Sequence, residues 1–301
     1  MKKLIAMGIV ILIILSFQIS GKKIYQLNNF IEYKMANVAV SKIKLKGHDL
    51  SYYHGGIGEV VILLHGFGGS KENWNQMSIE LTKHHQVYAL DLPGFGETSP
   101  NKQSYNIQDY RDIVIDFIKA LDLKNIKLVG HSTGGLIASS IAMSFPEYIS
   151  KLWLISPLGA DGNFESVMTK KLKVGENILI PNTIDEFENL LSQLFYKVPF
   201  IPSKVIRFVA KRSIKSNLFL ERTFTATHGF RDGRVNILPS LNYMLGHFSK
   251  EIYLTWGKED RILNYRGGVK IKKDLPQVHF NLQEGVGHMS LIEKVELPPS
   301  F

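Results

Sequence analysis

The sequence predicts an α/β fold, with a mostly parallel central sheet, helices on both of its faces and a helical cap inserted late in the chain. Three observations predict it. Short apolar, β-branched runs recur at Val60–Leu64, Val87–Leu90, Lys127–Val129, Leu152–Ile155, Ile252–Trp256 and Val278–Leu282, as expected of strands buried on both faces. Helical periodicity fills the gaps between the earlier runs: Tyr110, Val114, Phe117, Ile118 and Leu121 share one face, and so do Leu136, Ser139, Ser140 and Met143. Between Ile155 and Ile252, about a hundred residues carry helix signals and no convincing strand, which marks an insertion.

A chain of 301 residues, 45 % hydrophobic, is long enough to bury a large core. It holds no cysteine, which excludes disulfides, cysteine-built zinc sites, thiol nucleophiles and lipidated cysteines. No internal repeat or low-complexity tract interrupts it. The net charge of +9 is spread along the chain with no nucleic-acid motif, so it suits attraction to anionic lipid or an ordinary solvated surface better than nucleic-acid binding.

Residues 1–21 are read as a membrane anchor or signal segment. Lys2 and Lys3 precede the apolar run Leu4–Ile19, whose length of ~24 Å at ~1.5 Å per residue falls between a signal core and a full membrane span. No small-residue cleavage site follows, which favours an uncleaved anchor over a secreted or periplasmic form, and lysines on both sides leave its orientation open. Residues 22–40 read as a stem. The first part of the core spans 41–157, opening with strands at Lys42–Lys46 and Leu50–His54. The helical cap spans 158–248. Its best helix starts at Thr183, with Glu186 completing a capping box, and carries Phe187, Leu190, Leu191, Leu194 and Phe195 on one face. A second helix begins near Ser203 and carries Lys204, Arg207, Lys211, Arg212 and Lys215 with no acid from Val198 to Asn217. The rest of the core spans 249–301.

The chemistry is carried by Gly130-His131-Ser132-Thr133-Gly134, which follows a strand and opens a helix. A sharp strand-to-helix turn exposes the Ser132 hydroxyl, the flanking glycines permit close backbone approach, and the helix N-terminus favours developing negative charge. A helix-start serine alone would be the plainer reading, but a serine nucleophile needs a base and an orienting acid, and both follow later strands. Asp260 lies in "WGKEDRI" and His288 in "GVGHMSLIE", giving the chain order Ser, Asp, His. "LLHGFGGS" places Phe67 after the strand Val60–Leu64, where its amide and that of Thr133 can form an oxyanion hole. Asp161, after the strand Leu152–Ile155, is the alternative acid. His65 is expected to serve a structural hydrogen bond, His131 has no fixed role, and His84 and His85 read as a solvated helix end. Asp91 is expected to tie down the Pro93–Gly96 turn, and "PGFGETS" lacks the third glycine and the lysine of a phosphate loop.

Together "HGFGG", "DLPGFGETS", "GHSTGG", "WGKEDRI" and "GVGHMSLIE" stand in the order of the α/β-hydrolases, which the chain resembles from about Ser41 to Glu293. Within that superfamily "LWLISPLGADG", "LLSQLFYKVPFIPSKV" and the N-terminal apolar segment resemble monoacylglycerol-lipase-type serine hydrolases, which include single-anchored enzymes and bacterial lipases. The resemblance implies an ester hydrolase working through an acyl-enzyme on Ser132, without cofactor or metal. Phe187, Leu191, Phe195 and Phe200 in the cap suit an apolar acyl chain. Hydrolysis of C–C bonds, thioesters or small aromatic esters is the alternative activity, and a silent ligand-binding protein is a more distant one. Relatives continue into a C-terminal helix on the sheet, whereas Pro298 and Pro299 here would stop one.

Overall fold

The computed structural model describes residues 19–160, 162, 164–231, 234–235, 239–299 and 301. The anchor segment therefore lies, but for its last residues, outside the described residues, and so does Asp161. No helix among the described residues is long and apolar enough to cross a membrane.

Eight strands form one sheet in the order β1-β2-β4-β3-β5-β6-β9-β10: β1 (Val38–Leu45), β2 (His48–Gly55), β3 (Glu59–Leu64), β4 (His85–Leu90), β5 (Ile126–His131), β6 (Ile149–Ile155), β9 (Glu251–Gly257) and β10 (His279–Gln283). β1 and β2 are antiparallel, and from β4 onward every pairing is parallel. The central strands are apolar throughout because helices cover both faces. The helix α3 (Ile107–Ala120) buries Tyr110, Val114, Phe117 and Ile118 as the periodicity requires. By contrast α4 (Thr133–Ser144) has no solvent face over Thr133–Ala142. That stretch lies wholly inside the protein, so its small residues and two serines are packing choices, and the Ser139 hydroxyl is absorbed by the carbonyl of Gly135 at 2.8 Å.

The long interval leaves the sheet after β6 and returns in β9, its parallel neighbour. It holds α5 (Val167–Lys173), α6 (Ile184–Leu194), α7 (Ser203–Ile214), α8 (Asn217–His228), a short ribbon of β7 (Phe230–Arg231) and β8 (Arg234–Val235), and α9 (Leu241–Gly246). Thr183 caps α6 by accepting from the Glu186 amide, but the Glu186 carboxylate accepts from Asn182 and not from Thr183, so the reciprocal bond of a capping box is shifted by one residue. The segment 241–246, read from sequence as cap, packs Met244 with Leu136 of α4 and belongs physically to the core.

Residues 22–40 are not a free stem. They form α1 (Gly21–Met35) and the start of β1, because the helix has polar partners in the core. Glu32 accepts from the side chains of Asn75 and Gln76, Tyr33 lies 4.7 Å from Tyr53, and Tyr25 lies 5.7 Å from Phe208 of α7. His85 is likewise no solvated helix end: it begins β4, buried, with Nδ1 toward the Leu81 carbonyl and Nε2 3.1 Å from Lys127 Nζ. His84 is exposed.

Asp91 ties down the turn that follows β4, with a partner that nothing in the sequence announces. Its carboxylate accepts from the Glu97 amide at 2.8 Å, from the Lys71 amide at 2.7 Å and from Lys71 Nζ at 2.7 Å. A Cβ on Gly96 would overlap that carboxylate. Lys71 is 1 % exposed, also reaches Glu72 and Glu97, and lies 5.3 Å from the Tyr53 ring. Burial lowers the Lys71 pKa, but the three carboxylates outweigh it and hold the ammonium charged. Burial and the nearby Glu72 push Asp91 up to about 6 despite Lys71. A buried charge left without its partner costs about 3–5 kcal/mol. Lys71→Ala is therefore expected to destabilise by that amount, read as a lower denaturant midpoint, and Asp91→Asn added to it is expected to restore part of the loss.

Candidate active site

Ser132 joins β5 to α4 with φ 53° and ψ −120°, a conformation that a non-glycine residue adopts only when its surroundings impose it. The surroundings are backbone bonds on both sides: its amide donates to Ile155 O at 3.0 Å, and its carbonyl accepts from Gly135 at 2.9 Å and Leu158 at 3.0 Å. The side chain makes no helix-capping bond, so the plainer reading of a capping serine does not describe it. The flanking glycines are required by contact. A Cβ on Gly130 would meet the Gly134 carbonyl, and one on Gly134 would meet the carbonyls of Leu64 and His65.

His288 and Asp260 come together from the loops after β10 and β9. His288 Nδ1 donates to Asp260 Oδ2 at 2.8 Å, and Asp260 Oδ1 accepts from the amides of Ile262 and Leu263 at 2.8 and 2.9 Å. Both side chains are buried. Because an ionised carboxylate only accepts, this bond puts the proton on Nδ1 and leaves the Nε2 lone pair available as a base.

His131 supplies a connection with no signal in the sequence beyond its place beside Ser132. Its Nε2 donates to the His288 carbonyl at 2.9 Å, and the two rings are 4.7 Å apart. Burial and the neighbouring His288 hold its pKa well below the ordinary histidine value, so it stays neutral. The serine turn is thus fastened directly to the histidine loop.

The loop after β3 closes on the same turn. A Cβ on Gly66 would stand 2.9 Å from Ser132 Cβ, so the backbone leading to the Phe67 amide runs against the serine. The Thr133 amide is the first of α4. His65 holds this loop as expected, donating through Nδ1 to Gly66 O at 2.8 Å and accepting the Leu92 amide on Nε2 at 3.0 Å.

The Phe67 ring extends into the cap, 5.8 Å from Phe95, 5.6 Å from Phe224 and 5.5 Å from His228, each edge to face. This aromatic group, joined by Phe219 at 6.0 Å from Phe95, was not legible in the sequence because its members come from separate elements. The four expected acyl-chain residues divide. Phe187 and Leu191 are half-buried, while Phe195 is packed in a core cluster with Met289 and Leu291. Phe200 is 93 % exposed and lines no enclosed wall, because the chain turns outward before α7.

With this geometry, the comparisons with known proteins become specific. Residues 59–295 match the family model of the alpha/beta hydrolase fold. The chain belongs to the α/β-hydrolase family. It is 27 % identical over 248 residues to Lipase 1 of Psychrobacter immobilis, covering 79 % of this chain and 74 % of the relative. It is 30 % identical over 244 residues to a monoacylglycerol lipase of Xenopus laevis, covering 78 % of this chain and 71 % of that one. Among solved structures it resembles a membrane phospholipase A described as a bacterial virulence factor, with a TM-score of 0.84, 26 % identity and coverage of 98 % and 94 %. A meta-cleavage product hydrolase, at 21 % identity and a TM-score of 0.72 over 85 % and 93 %, shares the fold alone. This hydrolase is thus a serine hydrolase of lipase and esterase type.

Three buried histidines make stability depend on pH. Burial pushes His65 down to about 4 and His228 down to about 3, and His131 is also lowered. Each stays neutral when folded but binds a proton on unfolding below pH 6.5, so stability is lost as pH falls from 6.5 toward 4, at about 1.4 kcal/mol per pH unit for each histidine. Thermal unfolding of the hydrolase is expected at lower temperature at pH 4.5 than at pH 7. His228→Leu should show a smaller drop between the two pH values than the parent.

Proposed function

We propose that this hydrolase cleaves monoacylglycerol-type esters through Ser132, His288 and Asp260. The observation that carries the reading is the His288–Asp260 hydrogen bond, which offers a free Nε2 in a loop clamped by His131 to the strained Ser132 turn. In this mechanism His288 takes the Ser132 proton as Oγ attacks the ester carbonyl. Asp260 stabilises the imidazolium, and the amides of Phe67 and Thr133 bind the oxyanion. His288 then protonates the departing glycerol oxygen. Water, activated by the same imidazole, releases the fatty acid from Ser132 and restores the enzyme. The neutrality of His131 suits this cycle, because a cation beside His288 would oppose formation of the imidazolium.

The substrate class rests on the relatives that are lipases and on the aromatic surroundings of Phe67, which favour an acyl chain over a charged group. The apolar run Leu4–Ile19 serves as a membrane anchor in this reading, and the cations of α7 meet anionic headgroups.

Ser132→Ala is expected to lower turnover by about 10⁴-fold or more while thermal unfolding stays near that of the parent. A fluorophosphonate should label the parent at Ser132 and leave the variant unlabelled; labelling of the variant would end the assignment. Asp260→Asn should be severely impaired and Asp161→Asn nearly normal, and the opposite ranking would move the acid to the loop after β6. Rates on esters of increasing acyl length, set beside monoacylglycerols, test the substrate class.

A further inference from the structure

The polarity of α1 is inverted. Its inward face carries Tyr25, Asn29, Glu32 and Tyr33, which meet the core and α7 largely through polar groups. Its outward face carries Leu27, Phe30, Ile31 and Met35, spaced as one helical stripe and half or more exposed, with Met35 at 62 %. Lys22, Lys23 and Lys34 are exposed beside the stripe, and Lys34 Nζ lies 5.6 Å from the Phe30 ring. Left in water, such a stripe is an unfavourable surface for a helix whose other face is already packed.

A second exposed apolar element stands just before α7, the helix against which α1 packs. The loop between α6 and α7 presents Tyr196, Val198 and Phe200, the last at 93 % exposure, with Lys197 exposed among them. The N-terminus of α1 meets the start of α7, four residues after Phe200: Lys204 Nζ reaches the Ile19 carbonyl at 3.4 Å, and a Cβ on Gly21 would meet the Lys204 carbonyl. The apolar run Leu4–Ile19 therefore joins the described protein at this same corner. Exposed Arg207, Lys211 and Lys215 continue the surface along α7 with no acid between Val198 and Asn217.

We infer that the α1 stripe and the Tyr196–Phe200 loop together form a docking surface for an anionic lipid bilayer, with the apolar side chains at the level of the headgroup–acyl boundary and the lysines among the phosphates. This deepens the proposed function and rests on its reading of residues 4–19 as membrane-bound. Apolar side chains interleaved with cations are the composition of an interfacial segment, and each cation near such a surface adds attraction. A second copy is a poor occupant, because it would bring the same lysines against these. The surface also leads to the site. Glu293 accepts the amides of Tyr196 and Lys197 with Oε1, at 2.8 and 3.1 Å, and the Gly287 amide with Oε2 at 2.8 Å, so the docking loop is tied to the residue before His288. Docking through this loop therefore bears directly on the His288 loop, to which Glu293 ties it.

The absence of cysteine makes the test direct. Leu27→Cys, Ile31→Cys, Phe200→Cys and Val269→Cys each give the full chain a single thiol for an environment-sensitive fluorophore. Val269, 46 % exposed on the helix Arg266–Asp274 beside β10, lies at the other edge of the sheet from α1 and serves as the aqueous control. In phosphatidylethanolamine–phosphatidylglycerol vesicles, labels at 27, 31 and 200 are expected to shift to the blue and to be quenched by nitroxide lipids, while the label at 269 stays water-like. Equal, water-like emission at all four positions would overturn the inference. So would blue shifts that grow with protein concentration in detergent without lipid, since they would reveal a contact between copies. The variant Leu27→Ser/Phe30→Ser/Ile31→Ser is expected to lose about tenfold or more in turnover of long-chain monoacylglycerol in vesicles and to keep its rate on a soluble short-chain ester. A parent inactive on both esters would sink the proposed function and leave the label readout standing.

Discussion

The structure depends on one close approach of backbone to backbone. Gly130 and Gly134 bring the end of β5, the start of α4 and the end of β3 to separations at which no Cβ fits. That approach forces Ser132 into positive φ and turns its side chain away from helix capping. The strain persists because the serine backbone is bonded to β6 through Ile155 and to the following loop through Leu158. Relaxing the turn would break contacts in three strands at once.

The same constraint explains why the loops around the serine are held by buried polar groups. A backbone turn gives His131 its place, and His131 holds the carbonyl of His288. His65 holds the loop that carries Phe67, while Lys71 and Asp91 hold the segments on either side of that loop. Each of these groups is buried, and each has the hydrogen-bond partners that burial demands. A site built this way keeps its geometry without ligand, because the polar network and the strain support each other.

The cap is fastened to this frame at two places of different chemistry. Over the loop that carries Phe67 the fastening is aromatic, through Phe67, Phe95, Phe219 and Phe224, and its edge-to-face contacts tolerate small shifts. At the histidine loop it is polar and directional: Glu293 joins Gly287 to Tyr196 and Lys197, and Met289 donates to the Leu194 carbonyl at 3.2 Å. The first region can shift its packing while the second keeps the His288 loop in register.

Much of this protein is legible in the linear chain because the decisive physics is local. Apolar runs of strand length, the glycines about Ser132, and Asp260 and His288 in loops after late strands identify the α/β-hydrolase frame and the residues proposed to carry its chemistry. What the chain does not display is set by distance in sequence. Lys71 looks like a surface lysine until Asp91, twenty positions on, is folded over it. His85 looks like a polar helix end until β4 pairs with its neighbours. Phe195 and Phe200 read alike as cap aromatics, yet one closes the core and the other faces outward, because the turn before α7 reverses the surroundings within five residues. The stretch after Gly21 reads as a stem, although Leu27, Phe30, Ile31 and Met35 stand at helical spacing. Only the fold shows that its polar side is the one that docks, on Asn75 and Tyr53, and that its apolar side stays exposed. Periodicity determines that a helix forms, and tertiary contacts decide which of its faces is inside.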